Sequence, residues 1–512
     1  MKKILSLILA IAMAVTALSG CGKKTEKIEG DTDELTIFLH YFGYCVFNDE
    51  WPIFQKAAEL TGVKLHGTAS ESISDSSQAW NTMLASKEFP DIICGDRSKL
   101  RDLADMGGLI PLDDLIEEYA PNVKKFFNEC PEAKLAATSA DGHIYFIPGS
   151  LSGIDKEAVT SKAWFIRMDW LKKLGLEVPK TVDEYYEVLK AFKTQDPNGN
   201  GKADEIPYFN RQEGIMDLFQ LFGADYTWHE DKNGNLVYGR IEETYKNAIR
   251  EIAKWYKEGL IDTEIYSRGQ QTREQLLSQN IGGSTHDWVS STGKYNDTYK
   301  DQIEGFDWQG MVPPADINGE VKEVRSRSVL HGEGWGISKD NKHIETTMKY
   351  FDFWMSDTGR ELLSYGVEGI HYNVVDGKKV FTDEVLNSSE GVPTYMRNQG
   401  QVEIGSVGDI AAEVAGMNEY SQKAFKLYED GGFVKKEFSL SGFTEEEGDE
   451  LGNIGVDITT YIDEMSQKWI LGTSDVDADW DTYIATIKKM GYDKWEKIFN
   501  DVYKRQNALL KK

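Results

Sequence analysis

Residues 196–207, DPNGNGKADEIP, set six oxygen-bearing or backbone-exposing positions within ten residues, a density that can hold a hard cation. A calcium ion takes about six to eight oxygens at roughly 2.3–2.6 Å, several from carboxylates, on a loop tight enough to converge. Numbered as an EF-hand loop, Asp196 falls at position 1, Asn198 at 3, Asn200 at 5 and Lys202 at 7, where only a backbone carbonyl is required. Gly201 takes position 6, where the turn is too sharp for a Cβ. Position 12 departs from the pattern. Pro207 stands there instead of a bidentate Glu, which leaves Asp204 and Glu205 to supply the missing oxygens. The competing reading is a plain Asn-Gly turn between a helix and a strand. A calcium site of this kind is structural, because its ligands are all occupied and no position remains open for reaction.

The elements that must position such a loop are legible from period and punctuation. A helix starts near Thr181, with Thr181 as N-cap and Glu184 at the capping-box position, and the loop follows it directly. Upstream, ELTIFLHY (34–41), VKLHGTA (63–69) and DIICGD (91–96) read as strands. WPIFQKAAELTG and SSQAWNTMLASKEFP between them read as helices, the first with Pro52 in its opening turn and Gly62 as its stop. Strand–helix–strand–helix–strand predicts a parallel, doubly wound α/β sheet. A second lobe begins near KAWFIRMDW, where strand and helix alternate again. EETYKNAIREIAKWYKEGLID is an amphipathic helix, GEGWGIS a strand, and the last sixty residues are mostly helical.

The N-terminus and the composition set the setting. MKKILSLILAIAMAVTALSG has Lys2 and Lys3 before an apolar run of about fifteen residues, too short to span a bilayer, so residues 1–20 read as a cleaved export signal. Leu18, Ser19 and Gly20 before Cys21 resemble the lipobox of bacterial lipoproteins, which predicts lipidation of Cys21. Residues 21–33 are polar and charged, a tether between a lipid anchor and the folded body. The net charge is −28, or −30 without Lys2 and Lys3, which argues against nucleic acid and anionic lipid as partners. Cys45, Cys94 and Cys130 match no zinc spacing and form no disulfide framework.

Five stretches in order now carry a likeness: the lipobox, WFIRMDWLKKLGLEVPKTVDEYYEVLKAFKTQDPNGNGKADEIP, GWGISKDNKHIETTMKYFDFW, YGVEGIHYNV and KWILGTSDVDADWDTYIATIKKMGYDKWEKI. Together they resemble the extracellular solute-binding lipoproteins of carbohydrate ABC importers, the LplA-like group that includes alginate-oligosaccharide-binding proteins. The resemblance covers nearly all of the mature chain. It implies a periplasmic-binding-protein-like fold of type II: two doubly wound α/β lobes joined by hinge crossovers, with a sugar in the cleft. The division expected is residues 34–165 with 295–365 in one lobe and 166–294 with 366–512 in the other. Calcium loops of the related family end in an Asp-Glu pair, so the ligand set it implies is Asp196, Asn198, Asn200, Lys202, Asp204 and Glu205.

Sugars present a flat C–H face and a rim of hydroxyls, and so call for aromatic platforms and planar hydrogen-bonding groups. Ligands of open α/β sheets sit beyond the carboxyl ends of the strands. On that basis Tyr44 follows the first strand, Asp96 and Arg97 end the third, and Trp288 follows IGGSTHD. Trp335 and Tyr372 complete the candidates, each with core packing as the alternative, and Asp96–Arg97 with a helix N-cap as its alternative. The expected activity is capture of an oligosaccharide, neutral rather than uronate unless Arg97, Arg167 or Arg397 reaches it, and delivery to a membrane permease by a lipid-anchored monomer. The rivals are a secreted glycosidase or lyase, a passive adhesin, and a binder of peptides or other solutes. No G-x-S-x-G, P-loop or H-E-x-x-H motif supports an enzyme.

Overall fold

The structure, a computed structural model, describes residues 34–510 apart from 44, 140, 153–157, 212–213, 437, 439 and 441–442. Tyr44, the export signal, Cys21 and the tether lie outside the described residues.

Two sheets, each with its own apolar core, organise the chain. The first has six strands in the order Val407–Asp409, Phe146–Ser152, Leu330–Ile337, Ile92–Asp96, Glu34–Phe38 and Lys64–Gly67. Glu34–Phe38 runs parallel to both Lys64–Gly67 and Ile92–Asp96, as the strand–helix alternation predicts. Leu330–Ile337 does not: it enters antiparallel between Ile92–Asp96 and Phe146–Ser152, so the sheet is mixed rather than parallel throughout. The reason is connectivity, since this strand returns from the other lobe instead of following a covering helix of its own. The second sheet has four strands, Trp308–Met311, Lys162–Arg167, Gly282–Trp288 and Ile206–Tyr208.

The helices start and stop as their end residues dictate. Pro52 opens the helix Pro52–Thr61, and Gly62 closes it at φ 81, a conformation that costs a residue with a Cβ. Thr181 caps Val182–Thr194 by accepting the Glu184 N–H at 3.2 Å. Glu184 then reaches the Lys180 N–H at 2.6 Å rather than that of Thr181 itself.

Ser152 lies in the first sheet and Val159 in the second core, the chain passes between the cores again at 328–330 and near 410, and the strands Ala158–Thr160 and Ser326–Ser328 pair antiparallel. The expected division of the lobes is corrected by these passes. Residues 159–165 and 295–311 pack in the second core and residues 372–407 in the first. The crossover lies at the Ser326–Ser328 strand, which no change of composition marks. Three C-terminal helices complete the second lobe, Glu445–Ile470 and Val476–Lys489 against the helix Glu243–Lys257 and Tyr492–Leu510 against those two. No helix among the described residues is long and apolar enough to cross a membrane.

Candidate functional site

The strand Gly282–Trp288 is buried along its length until Trp288, whose ring is 45% exposed. The residue before it explains why the ring is held out. Asp287 is 1% exposed and accepts hydrogen bonds from Arg211 Nε at 2.8 Å and the Trp288 N–H at 2.7 Å. Arg273 Nε lies 3.4 Å from the same carboxylate and donates through Nη1 to Thr292 Oγ1 at 2.6 Å. Two guanidiniums and one carboxylate thus fix the backbone that presents Trp288 at the sheet's end.

One residue earlier, His286 is enclosed between two carboxylates, Asp217 at 2.9 Å and Glu323 at 2.8 Å. Lys162 at 2.8 Å and Arg325 at 3.0 Å complete the charges on Asp217. Burial alone would lower the imidazole pKa, but Glu323 and Asp217 outweigh it and raise it to about 9. Burial would raise Asp217, whereas His286, Lys162 and Arg325 hold it well below the usual carboxylate range. This cluster ties the 3-10 helix Gly214–Phe222, the second sheet and the segment entering the Ser326–Ser328 crossover into one unit.

In the first lobe Asp96 is the N-cap of Arg97–Asp105, accepting the Lys99 N–H at 2.9 Å, and its other oxygen meets Lys99 Nζ at 3.2 Å. It also lines a cavity of about 160 Å³ at the strand ends, with Tyr41, Phe42, Trp80, Lys99 and Glu333. Capping and pocket lining are therefore compatible for Asp96. Arg97 is half-buried beside it but does not line the cavity.

Two aromatic candidates are corrected. Trp335 is fully buried at the centre of the six-stranded sheet, stacked on Phe351 with centroids 4.4 Å apart, so it has no face to offer a ligand. Tyr372 opens the hairpin Tyr372–Val375/Lys378–Phe381, donates to Glu361 at 2.8 Å and packs on Tyr365. Both are core residues. What the sequence reading missed is Tyr41, Phe42 and Glu333. The signal was present in HGEGW, where glycines on both sides of Glu333 inside a strand mark a bulge.

The 196–205 loop folds as its glycines require, with Asp196 at φ 46 and both Gly199 and Gly201 at φ 75. Asp196 accepts the Asn200 N–H at 3.1 Å and the Gly201 N–H at 3.0 Å. Asn198 and Asn200 turn their amide nitrogens toward Asp204. Among the described residues no three His, Cys, Asp or Glu side chains gather around one point. Glu205 nevertheless bears on a cation. It is 1% exposed and no side chain pairs with its carboxylate, which only its own and the Asn198 backbone N–H approach. Its pKa is raised, first by burial and then by the Asp196 and Asp204 charges. A buried, unpaired carboxylate beside two others is costly unless something positive joins it. The donor set is all oxygen, which suits a hard divalent ion.

Residues 48–361 match the family of bacterial extracellular solute-binding proteins. The chain is 30% identical over 502 residues to the fructooligosaccharide ABC transporter substrate-binding protein FusA of Streptococcus pneumoniae, covering 89% of this chain and 87% of that one. It is 25% identical over 402 residues to the lipoprotein LipO of Bacillus subtilis, covering 74% and 76%. Among solved structures, the alginate-binding protein AlgQ2 without calcium ion superposes at a TM-score of 0.79 with 35% identity, over 93% of this chain and 98% of that one. FusA in complex with kestose superposes at 0.73 with 25% identity, over 93% and 99%, and an EF-hand mutant of FusA with fructo-nystose does so equally. Sheet order, crossovers and relatives agree: the chain belongs to the bacterial extracellular solute-binding protein family, with the periplasmic-binding-protein-like fold.

Proposed function

We infer that this solute-binding protein captures an oligosaccharide between its lobes and hands it, unaltered, to the permease of an ABC importer. The observation that carries this reading is Trp288, a half-exposed aromatic face at a strand end, held by the buried Asp287–Arg211–Arg273 group. Such a face suits the C–H surface of a sugar ring, and the names of FusA and AlgQ2 support the same ligand class. The energetics permit signalling. Moving a hinge from mostly open to mostly closed takes about 5.5 kcal/mol of differential affinity, and micromolar binding supplies about 8 kcal/mol.

A lipid anchor at Cys21 holds the monomer at the extracellular face of the cell membrane, and the name of LipO supports that setting. Asp196, Asn198, Asn200, Asp204, Glu205 and the Lys202 carbonyl hold a calcium ion that pins the loop between the helix Val182–Thr194 and the strand Ile206–Tyr208. The ion supplies positive charge to an otherwise unpaired carboxylate, and extracellular sites of this class fill even at weak affinity. Calorimetry against a glycan panel tests the reading, with reducing-sugar release measured in parallel. Heat without release is expected. Turnover of any glycan, or the absence of heat with all of them, overturns it.

A further inference from the structure

The strand Leu330–Ile337 is irregular where it meets the cleft. Against Phe146–Ser152 it pairs Leu330 with Ser150 but Gly334 with Pro148, so its register shifts across His331, Gly332 and Glu333. A bulge of this kind bends the strand and re-aims its side chains, and bulges cluster beside functional sites. On its other edge Glu333 lies directly opposite Asp96, and it also shares a hydrogen bond with Glu403. Like charges opposite each other on neighbouring strands destabilise a sheet. Asp96 is satisfied by its cap and by Lys99, whereas Glu333 faces Asp96 and Glu403 with the Arg97 guanidinium as its countercharge, and burial followed by Glu403 raises its pKa to about 8.

Two further residues aim at the same cavity. Tyr41 is 7% exposed and lines the cavity, and its hydroxyl meets no nitrogen or oxygen partner, only the Cys94 sulfur. Phe42 stands 51% exposed at the mouth, with its backbone at φ 55, a strained conformation for a bulky residue. The rest of the wall adds the Trp80 ring, which Lys99 overlies at 5.8 Å. The cavity therefore combines aromatic surface, a weakly bonded hydroxyl and a proton-sharing acid pair, in room for a single sugar ring.

We propose that this pocket of the first lobe is a subsite for the terminal ring of a neutral sugar, and that Asp96, Glu333 and Glu403 make it reject a ring bearing a carboxylate. An acid–carboxylate pair both donates and accepts, and so answers a pair of neighbouring hydroxyls. The Tyr41 hydroxyl exchanges a weak contact with the Cys94 sulfur for a sugar hydroxyl, and Phe42 covers the ring's apolar face. A uronate would bring a fourth carboxyl group against three, with Lys99 engaged by Asp96, Arg97 beside Glu333 and Arg397 held 5.5 Å over the Phe42 ring. The proposal rests on the reading that the chain captures oligosaccharides, and it sets this site apart from one that binds alginate.

The test is calorimetry on the full mature chain with kestose, maltotriose, trigalacturonate and an alginate trisaccharide, after a broad glycan array. Wild type should bind at least one neutral glycan and should bind neither uronate comparably. Tyr41→Phe should weaken the neutral ligand about threefold to tenfold. Phe42→Ala, at an exposed position that cannot disturb the core, should weaken it about tenfold. Glu333→Gln should narrow the gap between neutral and acidic sugars by about tenfold or more. Preference for a uronate in the wild type overturns the proposal. So does neutral binding unchanged in all three variants, which would leave oligosaccharide capture standing. No binding anywhere on the array removes both.

Discussion

At the scale of single residues, Trp288 and Trp335 show what burial decides. Both are tryptophans at or near strand ends, yet one projects from the second sheet and the other is packed inside the first. Trp288→Ala removes a platform without opening a cavity. Its glycan affinity should fall roughly thirtyfold, about 2 kcal/mol, with Tm nearly unchanged; calorimetry and a melt check both halves. Trp335→Ala should instead cost about 3–5 kcal/mol of stability. His286 makes a different prediction, in pH. Its folded pKa is raised to about 9 against an ordinary value of 6.5, so its contribution is complete below about pH 6.5. That stability is lost as the pH rises through about 9. Melts across this range should show the loss in the wild type and not in His286→Gln, which itself costs about 3–5 kcal/mol by breaking a buried charge pair. A pH slope shared by both proteins would assign the effect to another group.

At the scale of elements, the 196–205 loop gives the sharpest test. Glu205 is a carboxylate whose neutral form the fold favours, so without a cation its charge destabilises as the pH rises. Glu205→Gln in a chelator should melt no lower than the wild type, while calcium should raise Tm only for the wild type. A wild-type melting curve indifferent to chelation would count against the ion. This loop was readable in advance because its logic is local: glycines at fixed offsets and oxygens at alternate positions. The first three strands were readable for the same reason, as short apolar runs set between helices whose start and stop residues are local. The antiparallel entry of Leu330–Ile337 was not, since strand direction depends on where the chain comes from rather than on its side chains. The acid group escaped similarly. Asp96, Glu333 and Glu403 are far apart in sequence, and only the register that sets Asp96 opposite Glu333 brings them together.

At the scale of the molecule, two cores joined by a strand pair and a third pass near Ile410 make a hinge the natural soft point. Saturation with a bound glycan should reduce the radius of gyration in solution scattering, and an unchanged profile at saturation would argue against closure. The same interleaving governs how the chain reaches its native state. The sheet that begins at Glu34 is not finished until Val407–Asp409 pairs with Phe146–Ser152, so much of its contact order is very long. Folding with such contacts is slow, because distant segments must be ordered before their pairing repays the entropy. A chain of this design, if carried across a membrane unfolded, stays pliable on the way and matures only once Val407–Asp409 has emerged on the far side.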